Sequence, residues 1–273
     1  MEGRIVKTIS NQFTVQADNE KYVCHASRKL SKLLAGDFVI FDEKQNYITK
    51  ILPRKNSLVR PPISNIDNAL IVTSVFIPDF SSNLLDKLLC IIEFNNIKPI
   101  ICFTKMDMLD EIKKEEIRRY INYYKKIGYQ VFENTEIANI KNVLNNKVTV
   151  LTGQTGAGKS TLLNKIDSNL NLQTGEVSKA LGRGKHTTRH VELLQINSGL
   201  IADTPGFSSA EFYDMKKEDI RDNFIEFNEY RHLCKYKDCM HIKEDDCHIK
   251  KLVSEDVILE SRYNNYINFI ERV

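Results

Sequence analysis

The sequence predicts a multidomain α/β chain in three parts. These are an N-terminal OB-type β-barrel over residues 1–62, a mainly parallel sheet around a phosphate loop over 63–212, and a helical, metal-binding segment over 213–273. Three observations predict it. Short β-branched runs broken by polar turns fill the first fifty residues. Strand and helix patterns then alternate up to Asp203. Finally, three cysteines and a histidine crowd into residues 234–247.

The barrel is expected from five runs: Arg4–Ile9, Phe13–Val15, Lys21–Cys24, Asp37–Phe41 and Tyr47–Ile51. An SH3-like barrel fits the same count of strands. Residues 1–62 carry eleven Lys/Arg against six Asp/Glu, a local charge of +5 in a chain whose total is +3. A small basic barrel with Phe13, Tyr22 and Tyr47 suits a nucleic-acid surface, although aromatics in so small a domain more often fill the core. Pro53 and Pro61-Pro62 then mark an extended linker.

From Asp67 the pattern alternates. Ala69–Val75 reads as a buried strand and Leu84–Ile92 as an amphipathic helix. Lys98–Phe103 is a second buried strand, followed by a charged helix near 111–127 and strands at Tyr129–Phe132 and Lys147–Thr152. Such βαβ units build a parallel sheet with helices on both faces, and ligands lie at the C-terminal strand ends.

Gly153-Gln154-Thr155-Gly156-Ala157-Gly158-Lys159-Ser160 is a complete G-x-x-x-x-G-K-[ST] loop between the Lys147–Thr152 strand and the helix opening at Ser160-Thr161. Glycines let backbone N–H groups turn toward phosphates, and the helix N-terminus adds a favourable dipole. Lys159 is suited to the β- and γ-phosphates, and Ser160 to magnesium. Asp203-Thr204-Pro205-Gly206 ends the short strand Gly199–Ala202. Asp203 there suits the magnesium shell and the Gly206 N–H the γ-phosphate. The next residue is Phe207, and a phenyl ring cannot orient a water, so intrinsic hydrolysis is expected to be slow.

Thr104-Lys105-Met106-Asp107 follows the Lys98–Phe103 strand. One carboxylate, Asp107, suits the adjacent N1–H and exocyclic amine of guanine, a donor pair that adenine lacks. Alone, the tetrapeptide reads more simply as a turn with Asp107 as a helix cap. Beside a phosphate loop it reads as the base-contact motif, which places it ahead of that loop in the chain. That order implies a circularly permuted P-loop GTPase, with GTP or GDP and magnesium as cofactors. Threonine in place of the usual asparagine keeps a hydroxyl and loses an amide, which predicts weaker nucleotide binding.

Leu181–His190 is glycine-broken, cationic and without hydrophobic period, so it reads as a loop. A switch loop in this position donates a threonine to magnesium. Thr188 is the first choice and Thr187 the second. His186 is the nearest polar residue there able to orient water, against the plainer reading of a surface histidine.

Cys234-x4-Cys239-x-His241-x5-Cys247 offers three thiolates and an imidazole to one structural, tetrahedral zinc. His232 and His248 flank it with less natural spacing. Cys24, Cys90 and Cys102 stand singly in apolar runs and read as core. Hydrophobic content of 42% and charged content of 27% are those of a soluble globular chain. With no apolar run near eighteen residues and no signal-like start, the expectation is a cytoplasmic monomer away from membranes.

Taken together, the barrel, the permuted motif order and the C-x4-C-x-H-x5-C segment resemble the RsgA family of small ribosomal subunit biogenesis GTPases over essentially the full chain. Arg60–Asp67 at the first junction and Gly184-Lys185-His186-Thr187-Thr188 in the loop carry further likeness. The resemblance implies GTP hydrolysis stimulated by the small ribosomal subunit, contact with its rRNA, and a role late in its maturation. It also favours His186 as the water-orienting group. This chain departs from the family at Thr104, and at Glu133-Asn134-Thr135, where a Ser-Ala pair is usual, so no second base-contact residue is assigned. The motifs alone leave one alternative, a signalling or transport GTPase whose flanking domains bind protein.

Overall fold

The computed structural model describes the chain apart from residues 28, 60, 171, 173–189 and 204–210, and apart from the side chains of His190 and Asp203. Five strands form the N-terminal barrel: β1 (Glu2–Ile9), β2 (Gln12–Ala17), β3 (Glu20–Ala26), β4 (Phe38–Asp42) and β5 (Tyr47–Ile51). They pair in the order β1-β2-β3-β5-β4, and β4 returns to β1, so the sheet closes. Closure removes open edges. Ile5, Val15, Cys24, Val39, Phe41 and Ile48 fill the interior. Phe13 and Tyr22 pack against this core, Tyr22 with its ring 5.1 Å from that of Phe41, whereas Tyr47 is exposed.

The proline-marked linker is more structured than an extended tether. Short strands β6 (Ser57–Leu58) and β7 (Ile63–Ser64) pair across it. Beneath them the fully buried Asp37 carboxylate accepts from Arg54 (2.6 and 2.7 Å), the Ser64 hydroxyl (2.6 Å) and the Leu34 N–H (2.8 Å). Gly36 turns the chain here with φ +93°, and a Cβ would lie 2.0 Å from the Ser64 carbonyl oxygen. Only glycine fits such a contact.

The central sheet has the order β10-β9-β8-β11-β14-β13. Strands β8 (Asn68–Ser74), β9 (Lys98–Thr104), β10 (Gln130–Glu133), β11 (Val148–Thr152) and β14 (Gly199–Asp203) run parallel, and β13 (Leu194–Ile196) is antiparallel to β14. Every residue of β8 is buried, as a central parallel strand requires. Helices α1 (Ser82–Phe94), α2 (Glu111–Lys126), α3 (Ile137–Leu144) and α4 (Lys159–Ile166) connect these strands. Between α4 and β13, strand β12 (His190–Glu192) leaves this sheet and pairs with β1 of the barrel.

The last part packs α5 (Lys217–Asp222), α6 (Ile225–Tyr230), α7 (His248–Ser254) and α8 (Glu260–Arg272) against α1 and α2. At that contact Arg262 is buried between two carboxylates, Asp86 of α1 (2.7 Å) and Glu226 of α6 (2.7 and 3.0 Å). Tyr124 (2.6 Å) and Asn265 (2.7 Å) donate to Asp86, and Tyr123 (3.2 Å) donates to Glu226. Burial pushes the Asp86 carboxyl above its ordinary range, and the Arg262 charge opposes that. Among the described residues no helix is long and apolar enough to cross a membrane.

Removing the central cation would leave two carboxylates buried without a counter-charge. Arg262→Met is therefore expected to cost about 3–5 kcal/mol in urea denaturation. A loss below about 1 kcal/mol, the range of an exposed ion pair, would contradict the role assigned to this contact.

Candidate nucleotide site and metal cluster

Residues 153–158 connect β11 to α4 at the C-terminal edge of the sheet. Gly153 has φ +132°, and a Cβ on it would lie 2.0 Å from the Val72 carbonyl oxygen of β8. Gly156 and Gly158 also have positive φ, +82° and +89°, so three glycines of the motif occupy conformations that side chains disfavour. α4 begins at Lys159, whose ammonium donates to the Gly153 and Gln154 carbonyls at 2.8 Å each. Ala157 and Ser160 are buried, while Thr155, Gly156 and Thr161 are exposed at the rim. A glycine cradle at a helix N-terminus with a lysine folded across it fits a polyphosphate.

The Thr104–Asp107 turn lies against this loop. The Thr104 hydroxyl is buried and donates to the Ala157 carbonyl at 2.7 Å, with the Thr73 carbonyl at 3.4 Å. Lys105 takes a left-handed φ of 65°, and its ammonium donates to the Ile77 carbonyl. Asp107 is exposed in the short 3-10 turn Met106–Met108. It does not cap the following helix: Asp110 does, accepting from the Lys113 N–H at 2.8 Å. The Asp107 carboxylate is thus left for another partner.

Sequence reasoning missed how β8 and the loop after it serve this site. Val72 forces glycine at 153, and Pro78 lies 3.5 Å from where a Gly156 Cβ would be. The only signal was the glycine itself, since apolar strand residues reveal no facing partner. Several candidates lie outside the described residues: Gly182, Gly184, Lys185, His186, Thr187 and Thr188 of the cationic loop, and Thr204, Pro205, Gly206 and Phe207. Asp203 is placed only as the last residue of β14.

At the other end, Cys234, Cys239, His241 and Cys247 bring their ligand atoms within 4.8 Å of one another. The His241 Nδ1 lies 3.3 Å from the Cys247 sulfur and 3.6 Å from that of Cys234. Neither His232 nor His248 belongs to the group. Cys239, His241 and Cys247 are buried, and all six cysteines of the chain are free. Burial holds His241 neutral, with its pKa lowered to about 4, and pushes the Cys239 thiol up to about 12. Buried thiols gathered around a neutral imidazole suit a cation that stabilises thiolates, and the Cys3His set is compatible with zinc.

The Thr104–Asp107 turn and the glycine loop of residues 153–158 lie side by side on a parallel sheet, the first encoded ahead of the second, which is the order of a circularly permuted P-loop GTPase. Residues 51–213 match the family model described as RsgA GTPase. A protein of Oceanobacillus iheyensis named small ribosomal subunit biogenesis GTPase RsgA 2 is 47% identical, with 100% of this chain and 97% of that protein covered. RsgA 1 of Listeria monocytogenes is 44% identical at the same coverage. Among solved structures, YloQ, described as a circularly permuted GTPase, has a TM-score of 0.82 at 35% identity, covering 99% of this chain and 94% of its own. YjeQ from Thermotoga maritima has a TM-score of 0.85 at 31% identity, covering 99% and 97%. The chain belongs to the RsgA GTPase family, and its enzymatic class is GTP hydrolase.

Gly153→Ala introduces a Cβ that can be relieved only by moving the β8 or β11 backbone. It is expected to lower stability by about 2 kcal/mol or more and to abolish measurable GDP binding. A variant that melts and binds GDP like the parent would show that the close approach to Val72 does not shape the loop.

Proposed function

We propose that this chain hydrolyses GTP in the permuted site and uses that reaction on the small ribosomal subunit during its late maturation, as the names of its relatives suggest. The observation that carries the site is the Thr104–Ala157 hydrogen bond, which holds the base-contact turn against the phosphate loop. Thr104, Lys105, Met106 and Asp107 then contact the guanine side, and Gly153 through Thr161 the phosphates. The single threonine hydroxyl supplies the link between the loops, so the loss of asparagine's amide need not weaken binding.

In this reading the Asp107 carboxylate accepts from the guanine N1–H and amine, selecting guanine over adenine. Lys159 leaves the Gly153 and Gln154 carbonyls to neutralise β- and γ-phosphate oxygens. Ser160, Thr188 and Asp203 would hold magnesium, which when bound supplies positive charge against the phosphates. The Gly206 N–H meets the γ-phosphate. His186 orients the attacking water in place of the glutamine that Phe207 excludes. One zinc at Cys234, Cys239, His241 and Cys247 fixes the C-terminal fold and takes no part in hydrolysis. The working units are residues 1–62, 63–212 and 213–273 of a cytoplasmic monomer, with the basic barrel facing rRNA.

Four experiments test these assignments. Asp107→Asn is expected to shift preference from GTP toward XTP, since the amide N–H2 now donates to the xanthine oxygen; unaltered selectivity removes Asp107 from base recognition. Thr104→Val should weaken GDP binding about five- to tenfold by leaving the Ala157 carbonyl unpaired, with Thr104→Ser close to the parent. Equal affinity in all three forms would dismiss the link.

The third and fourth concern partner and metal. The protein should pellet with purified small subunits more strongly with a non-hydrolysable GTP analogue than with GDP, and less as salt rises. Pelleting with neither subunit, and no stimulation of hydrolysis by either, would favour a signalling or transport role. Metal analysis should find about one zinc per chain, whose chelation unfolds the C-terminal part while GDP binding persists.

A further inference from the structure

The loop that follows β8 stands at the same sheet edge as the Thr104–Asp107 turn and the 153–158 glycine loop. Ser74 fixes its start: the hydroxyl donates to the Phe76 carbonyl at 2.8 Å and accepts from the Phe76 N–H at 3.2 Å. Phe80 anchors its far end, with its ring 5.6 Å from that of Phe103 and 4.8 Å from that of Tyr120. Between these anchors Pro78 stands 3.5 Å from where a Gly156 Cβ would be. The carbonyl of the preceding residue, Ile77, accepts from the Lys105 ammonium. Two adjacent residues of this loop therefore meet both halves of the proposed nucleotide site.

Ile77 is ill suited to its own backbone. Its φ is +36°, in the left-handed region, where a β-branched side chain is strained. Among the described residues, thirteen other than glycine have positive φ, and nine of them are asparagine or aspartate, which tolerate it best. Ser10 turns the chain between β1 and β2, and Lys105 and His241 belong to the Thr104–Asp107 turn and the metal cluster. Ile77 is the one apolar residue of the thirteen. Burial does not offset the strain, because Ile77 is 70% exposed. For the fold alone, asparagine would serve at least as well. Strain of this kind concentrates where a ligand makes use of it.

We propose that Ile77 is an apolar contact for the sugar of the bound nucleotide. The inference rests on the guanine-nucleotide reading above, in which the Thr104–Asp107 turn takes the base and residues 153–161 take the phosphates. The part of a nucleotide that joins base to phosphates is the ribose. Ile77 stands between the same two groups, with its carbonyl at Lys105 and its neighbour Pro78 at Gly156. Packing against the carbon face of the sugar takes the isoleucine out of water, a gain made only when nucleotide is bound. Guanosine and adenosine nucleotides share this sugar, so the contact adds affinity without choosing the base. That choice stays with Asp107.

The test compares the full chain with its Ile77→Asn and Ile77→Leu variants. Asparagine suits the backbone and removes the apolar contact. Ile77→Asn should weaken GDP binding about five- to tenfold, while without nucleotide it melts no lower than the parent. Ile77→Leu keeps an apolar side chain and should bind GDP within about twofold of the parent. With isoleucine methyls labelled in the parent, the Ile77 methyl should show nuclear Overhauser contacts to the ribose protons of bound GDP. Four results would each overturn the proposal: unchanged GDP affinity in Ile77→Asn, an equal loss in both variants, a lowered melting temperature of Ile77→Asn without nucleotide, or an Ile77 methyl with no contact to the ribose. Failure of the underlying reading looks different. A parent that binds neither GDP nor ADP removes both, whereas equal binding of the two with the ribose contacts present removes guanine selectivity and leaves Ile77 in its role.

Discussion

The parallel register of β9, β8 and β11 is the constraint on which the rest of the molecule depends. β8 lies between the strand that ends in the Thr104–Asp107 turn, paired with it over Asn68–Ser74, and the strand that ends in the 153–158 glycine loop, paired with it over Asn68–Ile71. Two segments some fifty residues apart in the chain therefore emerge at the same sheet edge, one strand apart. β8 contributes more than spacing, because its Val72 carbonyl comes so close to Gly153 that no side chain is tolerated there. The Thr104–Ala157 hydrogen bond then spans the end of β8 and ties the two loops together. Permutation of the chain order leaves this arrangement untouched, since a sheet is held by the register of its strands and not by the order of their connections.

Around that edge the two flanking parts attach by different physics. The barrel is joined by the β12–β1 ladder, by the buried Asp37 with Arg54 and Ser64, and by Val6, Ala35 and Leu193 in the main apolar core. The C-terminal part is joined by a desolvated cation between two carboxylates and by an aromatic cluster of Phe212, Phe224, Phe227, Tyr266 and Phe269. That joint is all or none, because separating it would strand buried charge.

Much of this was legible in the sequence. The glycines of residues 153–158 declare themselves because positive φ and close backbone approach permit little else. The buried strands read correctly because β-branched runs between turns have few other uses, and the Cys/His cluster because its spacing suits one ion. What stayed hidden were contacts between distant elements. Asp86, Glu226 and Arg262 are charged side chains of a kind that suggests solvent, and nothing local shows that they face one another. β12 and β13 follow a stretch without hydrophobic period, so a strand that changes sheets at Leu193 leaves no pattern of its own. Asp107 and Asp110 both suit a helix cap in the sequence, and only the structure shows that Asp110 fills that place.

The central claim is that a permuted sheet edge builds a guanine-selective nucleotide site. It is tested most directly by calorimetric titration of the full-length protein with GDP and with ADP in magnesium. Adenine offers Asp107 no donor pair and turns an acceptor nitrogen toward its carboxylate, so GDP should bind at least about a hundredfold more tightly than ADP. Equal affinity for the two, or binding of neither, would contradict the claim.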